Sequence, residues 1–151
     1  MVSDIKVELN RTDPRNPAFI RDFRKGNNPL FNVLIAYVHF DPEVKYCQGM
    51  NFVVGRLLKY TQQVNKKGQL EYNEEDAFFL MLHICVRKLW REIYHPNMVR
   101  IREIKTLLAE ILETTYPEVH EHLMSISGFE MDDLIPLLIQ SQILSLFTRD
   151  L

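Results

Sequence analysis

The sequence predicts an all-α fold, and three observations carry that expectation. Apolar residues recur at three- and four-residue spacing, as in Leu30-Val33-Leu34-Tyr37-Val38 and Met50-Val53-Val54-Leu57-Leu58, the period that lines one face of a helix. Helix-entry residues stand ahead of such runs: Asn28 before Pro29, Asn73 before Glu74-Glu75-Asp76, and Pro117 before Glu118, each suited to the unsatisfied N–H groups or positive dipole of a first turn. Nowhere do Val, Ile and Thr alternate with polar residues over a strand length, and no Asn-Gly or Asp-Gly hairpin turn occurs.

In chain order, Met1 to Lys25 is mixed and locally basic, and Pro14 and Pro17 limit it to loops and short helices. Asn28 caps a helix that stops before Pro42, and the turn Asp41-Pro42-Glu43 delivers the chain to Tyr46. A second helix follows, from Met50 to about Tyr60. Gln62 to Tyr72 is polar, with Lys66-Lys67-Gly68 at its centre, and reads as an exposed connection. Asn73 opens a helix expected to run through Phe79, His83 and Trp90 to Arg91, and Pro96 closes that segment. His83, Trp90 and the Phe78-Phe79 pair are expected in the core. Ile101, Ile104, Leu108 and Ile111 mark another packed helix, Pro117 starts a short one that ends at Gly128, and a last apolar helix spans about Asp133 to Arg149 with Pro136 in its first turn. Ile143, Leu144, Leu146 and Phe147 then form an apolar end that needs cover, which suggests a truncated domain.

Composition narrows the functional classes. A chain of 151 residues with 46% hydrophobic and 25% charged residues, only 5 Gly and 7 Pro, has the make-up of one globular domain, 1–151. The formal net charge of −2 offers no general attraction for nucleic acid or an anionic membrane. The longest apolar run, Leu134 to Ile139, is far below the about 20 residues of a membrane span. Cys47 and Cys85 lie far apart in apolar surroundings, so both are expected reduced and buried in a cytosolic protein. His120 and His122 fall on different faces of a helix with no third ligand nearby, so no metal is expected.

The stretch Tyr46-Cys47-Gln48-Gly49-Met50-Asn51 is poor helix material. Gly49 costs a helix about 1 kcal/mol relative to Ala, and the amides of Gln48 and Asn51 need partners wherever they leave water. Either the cluster serves close packing and a helix entrance, or it presents a carboxamide to a partner from a fixed position.

This stretch resembles the Tyr-x-Gln-Gly glutamine-finger motif of TBC domains, the GTPase-activating domains that act on Rab-family small GTPases. Upstream, Ile5-Lys6-Val7-Glu8-Leu9-Asn10-Arg11-Thr12-Asp13-Pro14 is similar to that family's Ile-x-x-Asp-x-x-Arg motif followed by Thr-x-Pro, and Leu144-Ser145-Leu146-Phe147-Thr148-Arg149 is similar to a later apolar helix. The resemblance implies an irregular TBC-type helix bundle, with helices missing at one or both ends. It also implies Arg11 as arginine finger and Gln48 as glutamine finger, with Glu8, Tyr46, Gly49 and Asn51 in support. The partner would be a Rab-family GTPase carrying its own GTP and magnesium, so no cofactor of this chain's own is implied. The setting would be cytoplasmic, with peripheral recruitment to endomembranes in vesicle trafficking.

An arginine suits that role because phosphoryl transfer spreads charge over the transferred oxygens, and a finger supplied in trans accelerates it by about 10³ to 10⁵, roughly 4 to 7 kcal/mol of barrier. Glutamine, with one donor and one acceptor, can align the attacking water. Three positions depart from the family pattern: Glu8 stands for its aspartate, Lys45 for a glycine before the tyrosine, and Gln142 for a tryptophan. These departures motivate the alternative of a catalytically inactive TBC-like module that binds a GTPase or a scaffold. A third reading, free of the family, is a plain helical interaction domain.

Overall fold

The computed structural model describes residues 2–128 and 130–149. Among these the elements run α1 (Val2–Thr12), a single 3-10 turn (Phe23–Lys25), α2 (Pro29–Phe40), α3 (Met50–Thr61), a hairpin of β1 (Gln63–Val64) and β2 (Leu70–Glu71), α4 (Glu74–Leu82), α5 (Arg91–Tyr94), α6 (Val99–Thr115), α7 (Pro117–Ser127) and α8 (Met131–Leu144). The class is all-α, as the periodicity predicts.

Helix α3 is the hub and packs against α1, α2 and α4. Val53, Val54 and Leu58 on its inner face meet Ile5 and Leu9 of α1, Leu30, Leu34 and Val38 of α2, and Ala77 and Met81 of α4 in one buried cluster. Asn28 shows how polar groups enter such a core without loss. It is fully buried, its side-chain oxygen accepts from Phe31 N at 3.0 Å, and its amide donates to the carbonyls of Phe19 and Arg21 at 2.7 and 3.0 Å. The cap thus also pins the irregular segment after α1. A smaller cluster, Met131, Leu134 and Ile135 against Leu108, Leu112, Leu123 and Met124, holds α8 on α6 and α7. Ile143 and Leu144 carry the end of α8 into the main core.

Several local expectations are corrected. The connection after α3 is exposed as expected but forms a short antiparallel hairpin, with Gln63 opposite Glu71 and Val64 opposite Leu70. Its turn lacks Asn-Gly and closes instead through the Asn65 carboxamide, which accepts from the backbone of Lys67 and Gln69, with left-handed Gly68 at φ 74. The helix begun by Asn73 does not continue to Arg91. It widens to a π turn at His83–Arg87, and the chain then turns at Leu89, φ 57. His83 is exposed rather than core, on the same outward face as Phe79 one turn earlier. Phe79 is 57% exposed, whereas Phe78 and Trp90 are half-buried against the core. Cys85 is buried but Cys47 only partly so. The last helix begins earlier and ends at Leu144, so Pro136 lies beyond its first turn. Left-handed Leu146 and Phe147, at φ 51 and 58, follow. Phe147 is 58% exposed, while Ile143 and Leu144 are buried.

Candidate functional site

The site grows from the last turn of α1 and the entrance of α3. Arg11 lies in the final turn of α1, with 66% of its side chain in solvent and one guanidinium nitrogen 3.5 Å from Oε1 of Glu8. That carboxylate is one helical turn away, the spacing that puts two side chains on one face, and it is nearly buried, with 11% of the side chain exposed. Gln48 is exposed in the loop before α3.

Between them stands Asn51, with no exposed surface. Its Oδ1 accepts from the Tyr46 hydroxyl at 3.2 Å and from Gly49 N at 3.1 Å, so the loop holding Gln48 is tied on both sides to one amide. Its Nδ2 donates to Thr12 Oγ1 at 2.9 Å, and that hydroxyl donates to the Glu8 carbonyl at 2.8 Å. Tyr46, Asn51, Thr12 and the backbone of Glu8 form one hydrogen-bonded chain from the Gln48 loop to the Arg11 helix. Gly55, one turn beyond Asn51, makes room for it: a Cβ there would stand 2.9 Å from Thr12 Cγ2. Burial drives the Tyr46 phenol well above its usual range, and the Glu8 charge adds to the rise, so Tyr46 is a neutral donor. Burial likewise pushes the Cys47 thiol up to about 11, which makes it a poor nucleophile.

Two glycine-like positions shape the loop. Gly49 has φ 106, and a Cβ would come within 2.6 Å of the Leu144 carbonyl oxygen, an oxygen that also accepts from the buried Tyr94 hydroxyl at 3.0 Å. The end of α8 therefore sits directly on the Gln48 loop. Lys45 has φ 63, a conformation that glycine adopts without cost. The turn feeding this loop is anchored from α5: Arg91 grips Asp41 through two bonds of 2.6 and 2.9 Å and reaches Glu43 Oε2 at 2.6 Å. Its guanidinium holds both carboxyl groups below their ordinary range.

A surface groove passes Gln48, whereas Arg11 lines neither of its two parts. One part, about 390 Å³, runs from Gln48 and Gly49 past Phe52 to Pro136, Leu137 and Leu144. A second, about 240 Å³, shares Phe52 and Arg149 with it and extends to Thr12, Asp13, Arg15, Arg56 and Lys59. The sequence motifs include Thr12 only as part of Thr-x-Pro, and nothing local marks it as the tie. Asp41 and Arg91 are 50 residues apart and carry no shared signal; Arg56, a charge inside an apolar run, does. Among the described residues no group of three or more His, Cys, Asp or Glu is placed to hold a metal ion, and no helix is long and apolar enough to cross a membrane.

Comparison with known proteins agrees with this architecture. The family model described as Rab-GTPase-TBC domain matches residues 1–151, and the chain belongs to that family. It is similar to growth hormone-regulated TBC protein 1 of Homo sapiens, 36% identical over 76% of this chain and 31% of that protein. It is also similar to TBC1 domain family member 4 of Mus musculus, 34% identical over 79% of this chain and 8% of that protein. TBC domain-containing protein C4G8.04 of Schizosaccharomyces pombe is 30% identical over 87% of this chain and 15% of its own length. The chain thus spans less than a third of each of these relatives.

Proposed function

We propose that the domain activates a Rab-family GTPase by lending Arg11 and Gln48 in trans. The observation that carries this reading is the Asn51–Thr12 hydrogen bond of 2.9 Å, which couples the loop of one exposed side chain to the helix of the other. In the reaction, the Arg11 guanidinium would bridge oxygens of the phosphoryl group in flight, and the Gln48 amide would orient the attacking water. The GTPase brings GTP and magnesium, and the activator needs no cofactor. Its place is the cytoplasmic face of the vesicle-trafficking system, reached by peripheral recruitment. Single-turnover GTP hydrolysis across a panel of purified Rab GTPases tests the reading. Acceleration that Arg11→Ala and Gln48→Ala each largely remove supports it, and an Arg11→Ala protein as active as its parent overturns it.

A second reading has its own observation. Glu8 holds Arg11 at 3.5 Å on the protein's own surface, an arrangement that also suits a catalytically inactive module binding a GTPase or scaffold. That module would retain GTP-loaded Rab without hastening hydrolysis.

A further inference from the structure

Cations crowd the end of the groove remote from Gln48. Arg15, Arg56 and Lys59 line the cavity of about 240 Å³, with Arg149 where it joins the Gln48 part, against one carboxylate, Asp13, which is already paired with Lys59 at 2.5 Å. The chain as a whole carries a formal net charge of −2, so this local excess runs against its overall charge. Arg56 is the informative member. It interrupts the apolar run Val53-Val54-Gly55-Arg56-Leu57-Leu58, is half-buried, and has no hydrogen bond or ion pair among the described residues. A half-buried arginine that makes no ion pair, beside a carboxylate already paired with Lys59, is an open anion-binding group.

Its position says what it can serve. Gln48, Phe52 and Arg56 follow at four-residue intervals and all line the groove. Arg56 stands about 6 Å beyond Phe52 along α3 and lines the part of the groove that Gln48 does not, so the two are placed to meet different parts of a partner. Arg56 lies well inside the footprint of a protein partner, which covers about 800 Å² on each side. Between the two ends Phe52 carries the Arg149 guanidinium over its ring at 5.6 Å, and Leu137, 70% exposed, forms the facing apolar wall.

We propose that Arg56 is a docking residue. The basic end of the groove takes a carboxylate side chain of the bound GTPase, and the stretch between Phe52 and Leu137 takes the apolar residues flanking it. A bare phosphate headgroup would satisfy the cations but leave that apolar wall uncovered. The inference rests on the proposed GTPase-activating reading, and it assigns Arg56 to recognition, with no part in the chemical step.

The experiment compares wild type, Arg56→Glu, Arg56→Lys and the remote control Lys66→Glu on the Rab GTPase that the wild type accelerates most. Arg56→Glu is expected to raise KM about tenfold with kcat within twofold and to flatten the salt dependence of kcat/KM. Arg56→Lys keeps KM within about threefold, and Lys66→Glu changes nothing. Thermal melting of each variant confirms that the fold is retained. An unchanged KM for Arg56→Glu overturns this inference while the activator reading stands. A wild-type protein that accelerates no Rab overturns both. An unchanged KM together with Arg56-dependent binding to phosphoinositide vesicles would assign the basic end to a headgroup instead.

Discussion

Asn51 and Thr12 hold the two halves of the site in register. The bond between them, 2.9 Å, joins residues 39 apart in sequence, and Asn51 is otherwise occupied entirely with the Gln48 loop. Thr12→Val keeps the shape and removes the hydroxyl, leaving Asn51 Nδ2 buried without its partner. The expected cost is about 1 to 3 kcal/mol, or a fall of about 2 to 4 °C in Tm for each kcal/mol. Thermal unfolding measures the first effect. Hydrolysis assays below Tm should show activity falling beyond what the folded fraction explains, since the loop loses its tie to α1.

The chemistry predicts a sharp asymmetry at Arg11. Arg11→Lys keeps the charge but loses the planar fork that bridges two oxygens, so single-turnover hydrolysis should drop by about 10² or more of the 10³ to 10⁵ assigned to such a finger. Because 66% of the side chain is exposed, Tm should stay within about 2 °C. Equal rates for Arg11→Lys and wild type would remove the guanidinium geometry from the mechanism.

Local signals made most of the fold legible. Asn28, Asn73 and Pro117 each start a helix where their chemistry predicts, because a cap acts within one turn of itself. The failures came where distant packing decided the outcome. Nothing between Asn73 and Arg91 announces the π turn at His83–Arg87. The Tyr46–Asn51 cluster could be singled out for its composition, but the partner of the Asn51 Nδ2 donor is Thr12, which arrives from α1. A helical period does not encode such a meeting.

Gly49 should tolerate no side chain. Its φ of 106 and the 2.6 Å approach of a built Cβ to the Leu144 oxygen act together, because the obstacle is backbone already fixed by the Tyr94 hydroxyl. Gly49→Ala is expected to cost about 2 to 4 kcal/mol through strain and forced displacement of α8. Chemical denaturation would detect the loss as a lower midpoint, and an unchanged midpoint would show that α8 yields freely.

Lys45 offers the opposite outcome. Its φ of 63 carries about 1 to 2 kcal/mol of left-handed strain, of which glycine would return all but about 0.5 to 1 kcal/mol of added chain entropy. Lys45→Gly should therefore stabilise the protein slightly, by about 0.5 to 1 kcal/mol, readable as a raised denaturation midpoint. A midpoint lowered by the change would mean that the lysine side chain contributes more than its backbone costs.

The Asp41–Arg91 pair sets an acid dependence of known sign. Arg91, then the Val44 backbone, hold the Asp41 carboxyl below the ordinary range of an aspartate, with burial opposing them. A carboxylate whose pKa is depressed on folding contributes stability that is complete above the unfolded pKa and disappears as pH falls through the folded one. The window is therefore below about pH 4, and the Asp13–Lys59 pair contributes in the same sense. Asp41→Asn removes the titrating group and leaves Arg91 only Glu43, so its stability should be lower at neutral pH and fall less steeply toward acid than that of wild type. Urea denaturation at pH 7 and at pH 3 separates the two proteins: the gap between their unfolding free energies must narrow at pH 3, and a gap that is constant or widens would place the acid sensitivity elsewhere.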